Sequence, residues 1–309
     1  MKNDATSQAI FNGSSDVVDL RDRFQGALIG LQLVPTALSS LSGRDPLPSA
    51  PDRLRLQQAI DCSIAQTSAF VSAPNTWKPN VAALLPSPTF LLPACVPILL
   101  RYQHSWLSRL TRLSALESWI QGSDTRLSVP GAINDEALET FQQALAQVAL
   151  LGDLIEAIGT GLPSTGWIPW LTERTKAYRR ERFLSTPYEQ ILLAVCEAGQ
   201  SKRSIGCKTY QEFARGVSSV MMRPESYSLA VRCLGRAAFD FASEEDPEST
   251  KRTANAWIST FLAGLLSGAS VGKRGLPALW QLRLSAEERS GSVDQLANDL
   301  FKLWAGRKP

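Results

Sequence analysis

Residues 134–158, NDEALETFQQALAQVALLGDLIEAI, place Leu138, Phe141, Leu145, Val148, Leu151, Ile155 and Ile158 at steps of three and four. That spacing gathers the apolar side chains on one face of an α-helix, whereas a strand would scatter them over both sides. Asn134 or Asp135 can cap the first turn. The same spacing returns in Val293, Leu296, Leu300 and Leu303, where Ser292 and Gln295 have the positions of a capping box. No run of alternating β-branched residues and no Asn-Gly or Asp-Gly turn between two such runs is found. The chain is therefore expected to be all-α. Breaks are expected where Pro, Gly and Ser collect, at 42–52, 72–80, 159–167 and 243–250. None has the length of an interdomain linker. Residues 1–17 read as a flexible polar tail, and 18–309 as a single globular multi-helix domain.

One helix differs in texture. RTANAWISTFLAGLLSGASVG, residues 252–272, sets Ala256, Thr260, Ala263, Gly264, Ser267 and Gly268 on one stripe, flanked by Trp257, Phe261, Leu262, Leu265 and Leu266. Glycine costs a helix about 1 kcal/mol against alanine. A central helix that neighbours approach closely would account for that cost.

The bulk numbers exclude several functions. With 44% hydrophobic residues in a 309-residue chain, a sizeable core can form. A net charge of +3, from 32 basic and 29 acidic residues, lacks the concentrated Lys and Arg of a nucleic-acid binder. Cys62, Cys95, Cys196, Cys207 and Cys233 are odd in number and contain no CxxC pair, which fits free thiols in a reducing cytoplasm. The N-terminus has no apolar signal core. The apolar run 82–100, AALLPSPTFLLPACVPILL, contains Pro86, Pro88, Pro93 and Pro97, which argue against a continuous membrane-spanning helix. It reads as a buried connection leading into a helix, with no membrane contact expected.

Catalytic signals are sparse. His104 is the only histidine, so any Ser-His-Asp or Cys-His site would have to use it, and RYQHSWL reads as a surface or structural setting. GASVGKRG, residues 268–275, fails the phosphate-loop pattern at Ser267 and Arg274 and reads as a helix end with exposed Lys273 and Arg274. ERTKAYRRERF, residues 173–183, is a basic cluster that could hold an anion but reads as a solvated helix face.

Two stretches carry a resemblance. Arg23-Phe24-Gln25-Gly26-Ala27-Leu28-Ile29-Gly30-Leu31 resembles the entry helix RFxGALxGxAxGDALG of the ADP-ribosylglycohydrolase family. Gly264-Leu265-Leu266-Ser267-Gly268-Ala269-Ser270-Val271-Gly272, followed by Gly275-Leu276-Pro277-Ala278-Leu279-Trp280, is similar to its GGDxDTxAAxxGAxxGAxxG and GxxxIPxxW segments. Specific matching covers about a fifth of the span between these anchors, which run from residue 19 to residue 305. The resemblance implies an all-α fold with a central cleft. It also implies a pair of magnesium ions held by carboxylates and hydrolysis of ADP-ribose linkages, as in dinitrogenase reductase activating glycohydrolase.

The departures fall on the metal site. Val34-Pro35, followed by Thr36, stands where the family has Gly-Asp. The two later aspartates fall on Asn255 and Trp257, and the threonine on Ile258. Thr89 takes the place of the asparagine in the GNGAxMRxxPL segment, Pro93-Ala94 replaces its Met-Arg pair, and the TDDT motif has no counterpart. Mg²⁺ without carboxylates would leave an uncompensated charge, so no metal cofactor is expected. The vestigial cleft expected here is Pro35, Thr36, Thr89, Asn255, Trp257 and Ile258. Trp257 would either stack on a ligand's base or fill the space the carboxylates left. The reading that follows is a non-catalytic protein of this fold that binds a protein partner or a nucleotide-like ligand. Two alternatives stay open. One is an active hydrolase whose metal site has moved to acids such as Asp52, Asp61 or Asp246, and the other is an unrelated helical adaptor.

Overall fold

The computed structural model describes residues 19–39, 50–77, 88–120, 135–200, 210–240, 256–286 and 289–309. They form α1 (Leu20–Ser39), α2 (Ala50–Ser72), α3 (Leu91–Arg101), α4 (Trp106–Ile120), α5 (Asp135–Gly159), α6 (Trp167–Glu181), α7 (Ser185–Gln200), α8 (Gln211–Met222), α9 (Tyr227–Asp240), α10 (Ala256–Val271), α11 (Ala278–Ala286) and α12 (Arg289–Trp304), with no strand among them. The fold is all-α, as the periodicity predicts. The tail expected at 1–17 and the loop expected at 243–250 lie outside the described residues.

The tightest contact joins the two ends of the chain. Gly26 of α1 lies against Gly268 and Gly272, and Gly30 lies against Gly264 and Gly268, so α1 and α10 run antiparallel with backbone on backbone. Val34 packs its side chain on Gly264 one turn further. Tyr227, at the start of α9, donates its hydroxyl to the Gly30 carbonyl. Trp257 through Ala269 are buried without interruption, so α10 is enclosed on every side. The small-residue stripe predicts such a central helix.

Two proline-bearing helices depart from local preference. Pro35 sits inside α1, where it removes one backbone donor and would be expected to end the helix at a cost of about 3 kcal/mol. The helix nevertheless continues to Ser39, because Val34, Ala37 and Leu38 on its last turns are buried. Burying a Val or Leu side chain is worth about 1.5–3 kcal/mol, enough to offset the loss. α3 likewise contains Pro93 in its first turn, where no intrahelical donor is needed, and Pro97 in its interior. Its residues Leu91–Leu100 are all buried. No described helix is long and apolar enough to cross a membrane.

Helix ends correct three expectations. α12 begins at Arg289, so Ser292 lies in its first turns and is not its cap; Gln295 instead donates its amide to Asp299, one turn on. Residues 50–52, expected in a loop, already belong to α2. Lys273, expected to be exposed, is half-buried and pairs with Asp294 at 2.7 Å. α5 ends in a Schellman motif. Leu162 N–H donates to the Ala157 carbonyl and Gly161 N–H to the Ile158 carbonyl, with Gly161 at φ 75°. α6 ends in the same way, but its left-handed residue is Arg182, at φ 53°.

Candidate functional site

The segments carrying the expected cleft residues meet at one end of the α1–α10 pair. The antiparallel register sets Pro35 and Thr36, on the last turns of α1, level with the first turns of α10, which carry Trp257 and Ile258. Thr89 lies in the single 3₁₀ turn Pro88–Phe90 that precedes α3. Its neighbour Phe90 places its ring 5.1 Å from that of Trp257. Trp257 also meets Phe261 edge-on at 6.3 Å and is only 2% exposed. Ile258 is buried as well, while Pro35, Thr36 and Thr89 are half-buried. Asn255 lies outside the described residues.

This donor set does not fit the two magnesium ions that the resemblance implies. Mg²⁺ takes oxygen ligands, usually including one or two carboxylates. Pro35, Trp257 and Ile258 offer no side-chain oxygen, and Thr36 and Thr89 offer only neutral hydroxyls. The acids of the displaced-site alternative do not come together in what is described. Asp61 is exposed on α2 and accepts a bond from Gln57 at 2.9 Å; of Asp52 only the helical backbone is described, and Asp246 lies outside. Among the described residues no three His, Cys, Asp or Glu side chains converge on a common point. His104 is exposed and meets Trp304 edge-on at 5.5 Å. Cys62, Cys95 and Cys196 are free thiols, each pushed up in pKa by burial, which disfavours the thiolate a nucleophile needs.

The densest polar cluster lies elsewhere, and the sequence reading above does not anticipate it. α5 is buried from Ala144 through Ile158, on all sides and not only on its apolar face, and that stretch includes Asp153 and Glu156. Arg109 of α4 reaches both, with its Nη2 at 2.6 Å from Asp153 Oδ1 and 2.7 Å from Glu156 Oε2. Its Nη1 donates to the carbonyls of Gln103 at 2.8 Å and Tyr102 at 3.1 Å. The other oxygen of Asp153 accepts the Tyr188 hydroxyl at 2.9 Å, and the other oxygen of Glu156 accepts Arg174. Arg174 stacks 4.5 Å over the Trp170 ring, so the basic cluster around residue 174 is only partly a solvated face. Tyr178, from the same cluster, is buried and lies 4.4 Å from the Tyr188 ring.

The charges of this cluster cancel, two arginines against two carboxylates. Burial pushes the Asp153 carboxyl above its ordinary range, against the pull of Arg109 and Arg174. Burial pulls Arg109 down, but Asp153 and Glu156 together carry it above its ordinary value. The hydroxyls of Tyr178 and Tyr188 are pushed well up by burial and stay protonated donors. Each carboxylate oxygen already has a donor, so neither acid is free to bind a metal or take a proton from a substrate. The arrangement ties the turn between α3 and α4 to α5, α6 and α7. It acts as an internal clamp. A legible signal was the pair of acids three residues apart inside the apolar run of α5, since buried charges require partners. Comparison with known protein families, characterised proteins and solved structures gives no match to this chain.

Proposed function

We propose that this chain is a non-catalytic binding protein built on an ADP-ribosylglycohydrolase-like helical scaffold. The observation that carries the reading is Trp257. It occupies the position that the resemblance gives to a metal-binding aspartate, and it is buried between Phe90 and Phe261. A large indole packed on two phenyl rings leaves no room there for a hydrated cation and offers it no oxygen. The packing favours Trp257 as a filler of the vacated space over Trp257 as a stacking platform for a nucleotide-like ligand, because its ring faces are covered. Binding of a protein partner is then the function best matched to the molecule. The test is calorimetric titration with Mg²⁺ and with ADP-ribose, together with a hydrolysis assay on ADP-ribosylated protein. The expected result is no heat of metal binding and no turnover; metal-dependent release of ADP-ribose would overturn the proposal.

A further inference from the structure

We infer that Arg101, Tyr102 and Arg112 bind the phosphate group of a phosphorylated side chain on a partner protein. The inference rests on the binding-protein reading and names the chemistry of the partner. Arg101 ends α3, Tyr102 follows it, and Arg112 stands on α4. The guanidinium carbons of the two arginines lie 5.7 and 5.8 Å from the centre of the Tyr102 ring. Both arginines are half-buried. Other arginines withdrawn from solvent have acids: Arg109 and Arg174 share Asp153 and Glu156, and Arg215 pairs with Glu212 at 2.7 Å. Among the described residues neither Arg101 nor Arg112 meets a carboxylate or makes a side-chain hydrogen bond, and the Tyr102 hydroxyl has no partner. α3 contains no acid, and Glu117 of α4 accepts instead from Gln142 of α5 at 3.1 Å. Residues 121–134, outside the described residues, contain Asp124 and Arg126 and so add no net charge. One cation over a ring gains from its quadrupole, but a second brings like charges together with no counter-charge between them. Packing alone gives no reason for that pair.

The turn that carries Tyr102 is fixed from beneath. Arg109 donates to the Tyr102 and Gln103 carbonyls at 3.1 and 2.8 Å, while its other terminal nitrogen is held by Asp153 and Glu156. Ser105 N–H closes the turn on the Tyr102 carbonyl at 3.0 Å. Groups already held in place lose little freedom on binding. The clamp thereby positions the ring on which both arginines rest. Charge then selects the ligand. A phosphate monoester carries about −1.5 to −2 near neutral pH, which matches two guanidiniums, and its oxygens accept from their paired N–H groups. A carboxylate brings about half that charge. A bilayer surface is held by clusters of about four to eight basic residues, and this site has two. A nucleotide needs an open aromatic face for its base, and the Tyr102 ring is taken by the guanidiniums. Recognition of a phosphorylated motif by paired arginines fits what is present.

The test uses the full chain and a short fluorescent peptide of glycine and alanine around one serine, followed by anisotropy. The serine is phosphorylated, left free, or replaced by glutamate. The phosphorylated peptide should bind, the free one should not, and the glutamate one should bind at least about tenfold more weakly. Inorganic phosphate should displace the phosphopeptide. Arg101→Gln with Arg112→Gln should weaken its binding at least about tenfold, and Tyr102→Phe by a smaller factor. Thermal melts give a second readout on the same proteins. Phosphate should raise the Tm of wild type over chloride of equal ionic strength by more than it raises that of the glutamine pair, a comparison that removes the general salt effect. In chloride the glutamine pair should melt no lower than wild type, because it relieves a like-charge contact. A lower melt with unchanged peptide binding would assign the arginines to stability alone and overturn the inference. So would equal binding of the three peptides, or of wild type and the glutamine pair. Binding of inorganic phosphate at these arginines without the phosphopeptide, or recruitment to vesicles of phosphorylated inositol lipid without it, would overturn it as well. Turnover in the hydrolysis assay would instead sink the non-catalytic reading and leave the peptide result standing.

Discussion

Gly30→Ala puts the α1–α10 contact under a defined load. A Cβ built on Gly30 lies 2.5 Å from the Gly264 carbonyl oxygen and 2.9 Å from the Gly268 Cα. Carbon and oxygen approach to about 3.3 Å at closest in ordinary contacts, so the two helices must part by roughly 0.8 Å at that point. Both obstructing atoms are backbone, so no rotamer change relieves the clash. Overpacking costs about 1–3 kcal/mol, and the upper end applies to two main chains in contact. Alanine returns about 1 kcal/mol of helix propensity, leaving a net loss of about 2 kcal/mol. For a chain of 309 residues that is a fall in Tm of about 3 °C. Gly199→Ala is the control. It lies in α7, and an added Cβ there meets nothing within 4 Å, so the same change should stabilise by up to about 1 kcal/mol. Denaturant unfolding followed by far-UV circular dichroism reads both variants. If Gly30→Ala were as stable as wild type, the close approach would not be the reason glycine stands there.

Other consequences can be checked by the same unfolding measurement. Arg109→Met leaves Asp153 and Glu156 buried beside a neutral chain and should cost about 3–5 kcal/mol, and adding Asp153→Leu should recover part of it by removing one orphaned charge. Arg182→Gly should stabilise by about 0.5–1 kcal/mol, because it relieves a left-handed residue at φ 53° in the position where Gly161 serves α5. The hydrogen bond from Arg179 holds the Glu189 carboxyl below its ordinary range. Its contribution is present above the unfolded pKa and is lost as pH falls through the lower folded value, so Glu189→Gln should flatten the acid limb of stability against pH, slightly, since the pair is exposed. Asp153 has the opposite sign: a carboxyl raised by burial contributes most below its unfolded pKa and loses that contribution as pH rises through its folded one.

What the sequence reveals of this molecule follows from which forces leave a periodic trace. Apolar residues at steps of three and four mark α5 and α12, and the glycine and serine stripe marks α10 as a helix approached closely, because burial and close packing recur every turn. The resemblance at 23–31 and 264–280 falls on the α1–α10 contact itself, where Gly26 and Gly30 face Gly264 and Gly268. Local preference failed at Pro35 and Pro97, where burial of the surrounding turns outweighs the lost hydrogen bond. The charged clamp was legible only in its acids, and its cations were hidden for a different reason. Arg109 lies on the inward face of α4 with Leu113 and Leu116, as Asp153 and Glu156 lie within the buried run of α5, and each looks in isolation like an ordinary surface charge. Two acids in such a run require cations from elsewhere in the chain, since an unpaired buried charge costs several kcal/mol. The sequence therefore contains the requirement for a clamp, but Arg109 and Arg174 could be picked out from the chain's 32 basic residues only by the packing that brings α4 and α6 against α5.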